Sequence, residues 1–113
     1  MVAATAPAQA QSQIVSPIDD VARVAHVIGE AHKIRQLCNP NDQIWREQML
    51  ALIDLEAAGD DRRQRRLVEA FNDGFRAQER VHSRCNADAR QAEAELADEG
   101  RRLAEALRDR YLN

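Results

Sequence analysis

Aromatic residues are scarce in this 113-residue chain, with one tryptophan, one tyrosine and two phenylalanines making up 4% of it. Only four glycines are present, too few for a glycine-rich phosphate loop, and no stretch shows the alternation of a β-strand. No window approaches the roughly 20 consecutive apolar residues that a membrane-spanning helix requires. The sequence therefore predicts neither a phosphate-loop enzyme nor insertion into a membrane.

Positive charge is not in excess either, since the formal net charge is -3 at pH 7. Nucleic-acid-binding proteins usually carry a strong positive balance, so no nucleic-acid partner is expected. Lysine occurs once, at Lys33, and the other fifteen basic residues are arginine. This bias reflects either a GC-rich coding sequence or a need for planar, forked hydrogen-bond donors.

What the chain does contain is 44% hydrophobic residues, many of them alanine, and 31% charged residues. This composition is typical of a helical globular protein, and the length is enough for one domain. Residues 1–15 are interpreted as a disordered remnant of a signal peptide or a linker, because Ala8-Gln9-Ala10 has the small-x-small form of a signal-peptidase site. Residues 16–113 are predicted to form a single helical domain, exported to the periplasm.

Apolar residues recur at three- and four-residue spacing in four stretches, which predict helices over about 17–38, 42–58, 61–84 and 87–112. Asp60 or Asp61 can open the third helix, and Gly74 within it permits close approach of a neighbour. Short connections favour antiparallel neighbours, so the predicted fold is all-α, an antiparallel four-helix bundle. The large residues of the stripes form the predicted core: Ile28, Met49, Leu52, Leu67, Phe71, Phe75, Leu96 and Leu103.

The two cysteines, Cys38 and Cys85, are compatible with either one disulfide or two buried thiols. Cys38 closes the first predicted helix and Cys85 the third, and in an up-down-up-down bundle both ends lie at the same pole. One disulfide is therefore predicted.

Several linked blocks carry a resemblance to a known family. They are G-x-x-H-x-I-R-x-L-C (29–38), W-R-x-Q-M-x-x-L-I-x-x-E-A (45–57), R-L-V-x-A-F-N-x-G-F-R (66–76) and E-G-R-R-L-A (99–104), with Cys85 between the last two. The chain resembles an uncharacterised family of small secreted alphaproteobacterial helical proteins, over about Val21 to Tyr111. The resemblance implies export and a cysteine pair, suggests work in the cell envelope, and supplies no activity.

A run of arginines is the first candidate binding site. Arg62, Arg63, Arg65 and Arg66 fall in the first turns of the third helix, where the helix dipole disfavours cations. Neighbouring carboxylates such as Asp60, Asp61 and Glu69 can neutralise them as a solvated face. Alternatively, the run forms an anion-binding pole for the free carboxylates of peptidoglycan stem peptides, which arginine grips bidentately.

Trp45 is the second candidate, either as a core residue or as a platform for a sugar ring. In the latter case, we expect Arg35, Arg46 or Arg76 to supply hydrogen bonds.

Metal and catalytic sites are not predicted. His26 and Glu30 have helical spacing, and reduced Cys38 and Cys85 with His32 and His82 could in principle hold zinc, but export predicts oxidised thiols. The carboxylate pairs Glu93 with Glu95 and Asp98 with Glu99 are expected to be solvated charges on the polar face of the last helix. We expect no cofactor and no enzymatic activity.

The predicted function is that of a non-catalytic periplasmic protein that binds peptidoglycan or a component of cell-wall growth or division. One alternative is a helical protein–protein adaptor or self-associating module, such as a homodimer, without polymer affinity. The other is a small cytosolic metal-binding protein or enzyme with free thiols.

Overall fold

The computed structural model describes residues 16–111, and in this range all regular structure is helical. The helices are α1 (Ile18–Cys38), α2 (Ile44–Glu56), α3 (Asp61–Glu79) and α4 (Ala87–Tyr111). The all-α prediction is confirmed. The segment interpreted as a signal remnant, residues 1–15, lies outside the described range.

Three helices have bounds within two residues of those predicted, whereas α3 ends at Glu79 rather than at 84. Beyond it, the amides of Val81 and His82 both bond the carbonyl of Gln78, which closes the last turn. The chain then crosses to α4, where Asn86 Oδ1 accepts a hydrogen bond from the amide of Ala89 at 2.9 Å. Cys85 therefore lies in the α3–α4 linker instead of on a helix.

The helices run up-down-up-down, as the short connections predict. The start of α1 meets the start of α3, where Arg63 donates to the Ser16 carbonyl at 3.0 Å, so these two helices are parallel. The end of α1 meets the start of α4, where Arg35 pairs with Glu93 at 2.7 Å, so these two helices are antiparallel. Helix α1 is central and packs against each of the other three.

The core is built mainly on α1, which buries ten of its 21 residues. Of the predicted core residues, Ile28, Met49, Leu67 and Leu96 are buried. Leu52, Phe71 and Leu103 are partly buried and pack against them. Phe75 is half-buried, with its ring centroid 6.0 Å from that of His32.

Two glycines let α1 and α3 cross at very short range. A Cβ atom on Gly74 would overlap the main chain of His26, and one on Gly29 would overlap the main chain of Phe71. Each glycine thus lies directly against the backbone of the other helix. The close approach predicted at Gly74 is present, and Gly29 is its unpredicted counterpart.

The Cys38–Cys85 disulfide is present, with a Cα–Cα distance of 4.9 Å. It joins the end of α1 to the α3–α4 linker, so the bundle is covalently closed at this pole. None of the helices α1–α4 combines the length and apolarity needed to cross a membrane.

Candidate binding groove

An open groove runs along α1 between α2 and α4. Both of these helices pack on α1. However, no Cα atom of α2 (44–56) lies within 8 Å of a Cα atom of α4 (87–111). The space between them has a volume of about 500 Å³. No helix among residues 16–111 fills this gap, and the α1 side chains beneath it are buried by the side chains of the two walls.

The groove is mostly apolar. Its floor is formed by Val24, Val27 and Ile28 of α1. The α2 wall carries larger apolar side chains than the α4 wall does. The wall residues are Ile44, Trp45, Ala51, Leu52 and Leu55 on α2, and Leu96, Ala97, Gly100 and Ala104 on α4.

Two large apolar side chains of the α2 wall are open to solvent. Leu55 is 77% exposed and Ile44 is 45% exposed. They stand eleven residues apart, about 16 Å along the helix axis. Between them Ala51 is exposed and Leu52 is partly buried, so apolar side chains recur along this wall on either side of Gln48.

A buried carboxylate closes one end of the groove. Glu93 of α4 is only 8% exposed, and its Oε2 accepts hydrogen bonds from Arg35 Nε at 2.7 Å and Trp45 Nε1 at 2.9 Å. The residues come from three different helices. Because the carboxylate is paired with a guanidinium and an indole N–H, its burial is compensated.

The same network continues into the α1–α2 connection. Arg35 lies 3.4 Å from Asp42 Oδ2, and Asp42 Oδ1 accepts from the amide of Ile44 at 3.0 Å, which fixes the start of α2. Cys38 follows Arg35 by one helical turn. The disulfide and the Arg35–Glu93–Trp45 network thus hold the same pole together.

The prediction that Glu93 is a solvated charge on the polar face of α4 is wrong. Glu93 lies four residues after buried Ala89 and three before buried Leu96, so it belongs to the buried stripe. The sequence alone therefore contained the signal that Glu93 lies on the buried face of α4. Glu95 is exposed, as expected, and accepts a hydrogen bond from Gln91 at 3.1 Å.

Arg101 forms the charged rim of the α4 wall. It donates to Asp98 at 2.6 Å and to Glu105 at 3.2 Å. The hydrogen bond from Arg101, supported by the charges of Arg101 and Arg102, lowers the pKa of the Asp98 carboxyl. Asp98 is thus a firmly ionised surface group, as predicted for this position.

The arginine run is divided by the fold. Arg63 is mostly buried and donates to two main-chain carbonyls, those of Glu56 at 2.8 Å and Ser16 at 3.0 Å. Arg66 is exposed in part and lies 3.6 Å from Asp19. Arg62 and Arg65 are exposed. Three arginines can therefore face solvent, while Arg63 ties the starts of α1 and α3 to the end of α2.

The proposed sugar platform is only partly assembled. Trp45 is half-buried, and its indole N–H is joined with Arg35 on the carboxylate of Glu93. Arg76 instead pairs with Asp73 of its own helix at 2.7 Å. Arg46 is exposed on α2 and contributes positive charge near His32.

His32 occupies a buried position between α1 and α3. It is 5% exposed, and its ring centroid lies 5.6 Å from that of Phe71. Burial lowers the pKa of His32, and the nearby charge of Arg46 lowers it further. Its Nδ1 atom has no hydrogen-bond partner among residues 16–111. Because both sulfurs are joined in the disulfide, the zinc alternative loses two of its four ligands.

Comparison with known proteins gives a single finding. No curated protein and no solved structure matches the chain. A family model described as "Protein of unknown function (DUF2385)" matches residues 18–111, which include all four helices and both cysteines. The chain belongs to this family.

Proposed function

We propose that the protein is a non-catalytic, exported component of the cell envelope that binds another envelope component, in the first place a protein. The observation that carries the proposal is the open apolar groove between α2 and α4, with Leu55 and Ile44 exposed along its wall. Apolar grooves between helices are a common mode of protein recognition. The proposal therefore favours a helical adaptor over a polymer-binding protein.

Export is supported by the disulfide. Such bonds persist in oxidising compartments and are rare in the reducing cytosol. The Ala8-Gln9-Ala10 sequence and the resemblance to small secreted proteins agree with a periplasmic location. A small domain also gains most from such a bond, because its core is limited.

A non-catalytic role is supported by how the carboxylates near the groove are used. Glu93 is held by Arg35 and Trp45, which makes it a structural anion. Asp98 is engaged by Arg101 and Arg102, and its lowered pKa opposes a role as a general acid. Of these groups, Glu93 links three helices and Asp98 pairs within α4.

Peptidoglycan is the second candidate partner, favoured by the exposure of Arg62 and Arg65 at the start of α3. The test is retention of the purified protein on isolated sacculi. Replacement of both residues by glutamate should abolish retention if carboxylates are bound there, and wild-type retention should fall with added salt. Equal retention of the two proteins would remove the arginines from consideration.

The proposal is tested in the native host with a photo-crosslinking amino acid at position 55. We expect the protein in the periplasmic fraction, with no alkylation before reduction and two alkylated cysteines after it. We also expect a crosslink to an envelope protein from position 55 and none from position 50, an exposed leucine of α2 outside the groove. A cytosolic protein with free thiols would contradict export. Equal crosslinking from both positions would contradict the groove.

A further inference from the structure

We infer that the groove between α2 and α4 takes an amphipathic helix from a partner protein, about three turns long, with acidic residues beside its apolar stripe. This inference rests on the proposed binding function and adds the chemistry of the partner. The shape and the charge of the groove both favour this occupant.

The shape of the groove fits a helix. Central α1 is covered by three helices, and the groove on it is bounded by α2 and α4, whose Cα atoms stay more than 8 Å apart. A further helix in the gap would pack mainly on the exposed wall residues Ile44 and Leu55, because the floor residues of α1 are already buried. The distance from Ile44 to Leu55 sets its length at about 16 Å, or three turns.

The α4 wall permits close approach of another backbone. Ala97, Gly100 and Ala104 lie at positions i, i+3 and i+7, which form one helix face. Helix axes come closest where the contacting side chains are small. The occupant can therefore pack its main chain near α4 and direct its large side chains toward α1 and α2.

The charge of the groove predicts the flank of the occupant. Among residues 16–111, the charged residues that line it are Arg35 and Arg101, and the buried carboxylate of Glu93 lies at its end. Arg35 lies at the end of the groove, where it pairs with Glu93 and Asp42. Arg101 is well exposed on the rim, and its surface pairs with Asp98 and Glu105 hold it only weakly. A glutamate or aspartate of the partner can therefore bind Arg101.

The probe is a synthetic lactam-bridged helical peptide of about 14 residues, with leucines at i, i+3, i+4 and i+7 spacing and glutamates on both flanks. Comparison peptides carry lysine flanks or a scrambled order. Trp45, the one tryptophan of the chain, lines the groove and reports binding by fluorescence, and calorimetry gives the dissociation constant. We expect saturable 1:1 binding of the glutamate peptide and weak or no binding of the others.

Two pairs of variants locate the binding site. Leu55→Glu should weaken binding at least about tenfold, whereas Leu50→Glu, a similar change outside the groove, should leave it within about twofold. Arg101→Glu should weaken binding by a similar factor. Its control is Arg102→Glu on the same helix, because Arg102 also pairs with Asp98 but does not line the groove. Circular dichroism establishes that all four variants fold.

Several results would overturn the inference. They are no binding of the glutamate peptide, equal binding of the lysine peptide, or equal effects of groove and control variants. A concentration-dependent dimer that Leu55→Glu abolishes would make a second copy of the chain the occupant instead. Saturable binding of decanoate, with displacement of the peptide, would assign the groove to an acyl chain.

The outcome is separable from that of the proposed function. If the peptide does not bind but position 55 still crosslinks to an envelope protein, the helical occupant is wrong and the binding role stands. If the peptide binds but the protein fractionates with the cytosol, the envelope role is wrong and the groove stands.

Discussion

At the scale of single residues, Glu93 shows how one charge can hold three helices. Its Oε2 receives hydrogen bonds from Arg35 of α1 and Trp45 of α2, so α4 is linked to both. Losing one partner of a buried pair is costly because the other is left uncompensated. Arg35 keeps some access to water and to Asp42, which moderates the cost.

Replacing Glu93 by alanine should therefore lower the free energy of unfolding by about 2–3 kcal/mol. The measurement is urea denaturation followed by the fluorescence of Trp45, with circular dichroism as a second probe. Glu95→Ala, an exposed residue on the same helix, is the control and should change stability by less than about 0.5 kcal/mol. Equal effects of the two substitutions would show that the network contributes nothing.

His32 should make the stability of the protein depend on pH. Burial, with help from Arg46, lowers its pKa in the folded state, while the unfolded chain titrates near 6.5. The unfolded state therefore binds the extra proton as the pH falls below about 7. Stability is highest above the unfolded pKa and is lost progressively as the pH falls through it toward the folded pKa.

His32→Leu should remove this pH-dependent loss of stability between about pH 7 and 5, whereas the parent protein should show it. Denaturation at several pH values gives the slopes. Chemical-shift titration of the imidazoles gives the folded pKa directly. A folded His32 pKa at or above 6.5 would contradict the prediction.

At the scale of the elements, the crossing of α1 and α3 depends on glycine. Added Cβ atoms at Gly29 and Gly74 meet main-chain atoms of the opposite helix, which cannot move without separating the helices. At Gly100 of α4, the described part of the chain places only the Val27 side chain near an added Cβ, at 3.4 Å. The three helical glycines thus differ in what alanine would do.

Gly29→Ala and Gly74→Ala should each destabilise the fold by about 1–3 kcal/mol or more, despite the better helix propensity of alanine. Gly100→Ala should be neutral or stabilising by up to about 1 kcal/mol. Thermal unfolding of the three variants checks this. A similar melting temperature for all three would show that the helices are not in contact at the glycines.

The start of α3 predicts opposite effects at adjacent arginines. Asp60 Oδ1 caps the helix by accepting from the amide of Arg63 at 3.1 Å, and the Arg63 side chain binds the carbonyls of Glu56 and Ser16. Arg63→Glu should cost about 2 kcal/mol or more, because these contacts are lost and Glu56 is repelled. Arg62→Glu should be neutral or stabilising by a few tenths of a kcal/mol, since it complements the helix dipole. Urea denaturation separates the two.

At the scale of the whole molecule, the disulfide restricts the unfolded chain. It closes a loop of 47 residues and joins the end of α1 to the linker that leads into α4. In the chain-entropy model a loop of this length stabilises the fold by about 4 kcal/mol. The groove lies between helices that this bond helps to position.

Replacing both cysteines by alanine should lower the free energy of unfolding by about 2–5 kcal/mol. Calorimetry on the variant and on the parent with and without reductant checks this, since reductant should affect only the parent. A variant that melts within about a degree of the oxidised parent would contradict the prediction.

Local pattern was sufficient for the elements of this protein. The apolar spacing gave four helices in the correct order, because the side of a helix that is buried repeats every 3.6 residues. Short connections made neighbours antiparallel, which placed Cys38 and Cys85 at one pole. The end of α3 was missed because Cys85 continues its apolar spacing although the chain has already left the helix.

The roles of the surface residues depend on how the helices pack together. The sequence could not separate Arg63 from Arg62, because the carbonyls that bind Arg63 come from the end of α2 and the residue before Pro17. It could not reveal the groove, because a gap between α2 and α4 depends on how each packs on α1. Helical periodicity is a property of the local chain, whereas an unfilled space between helices is a property of their arrangement, and the candidate site of this protein is of the second kind.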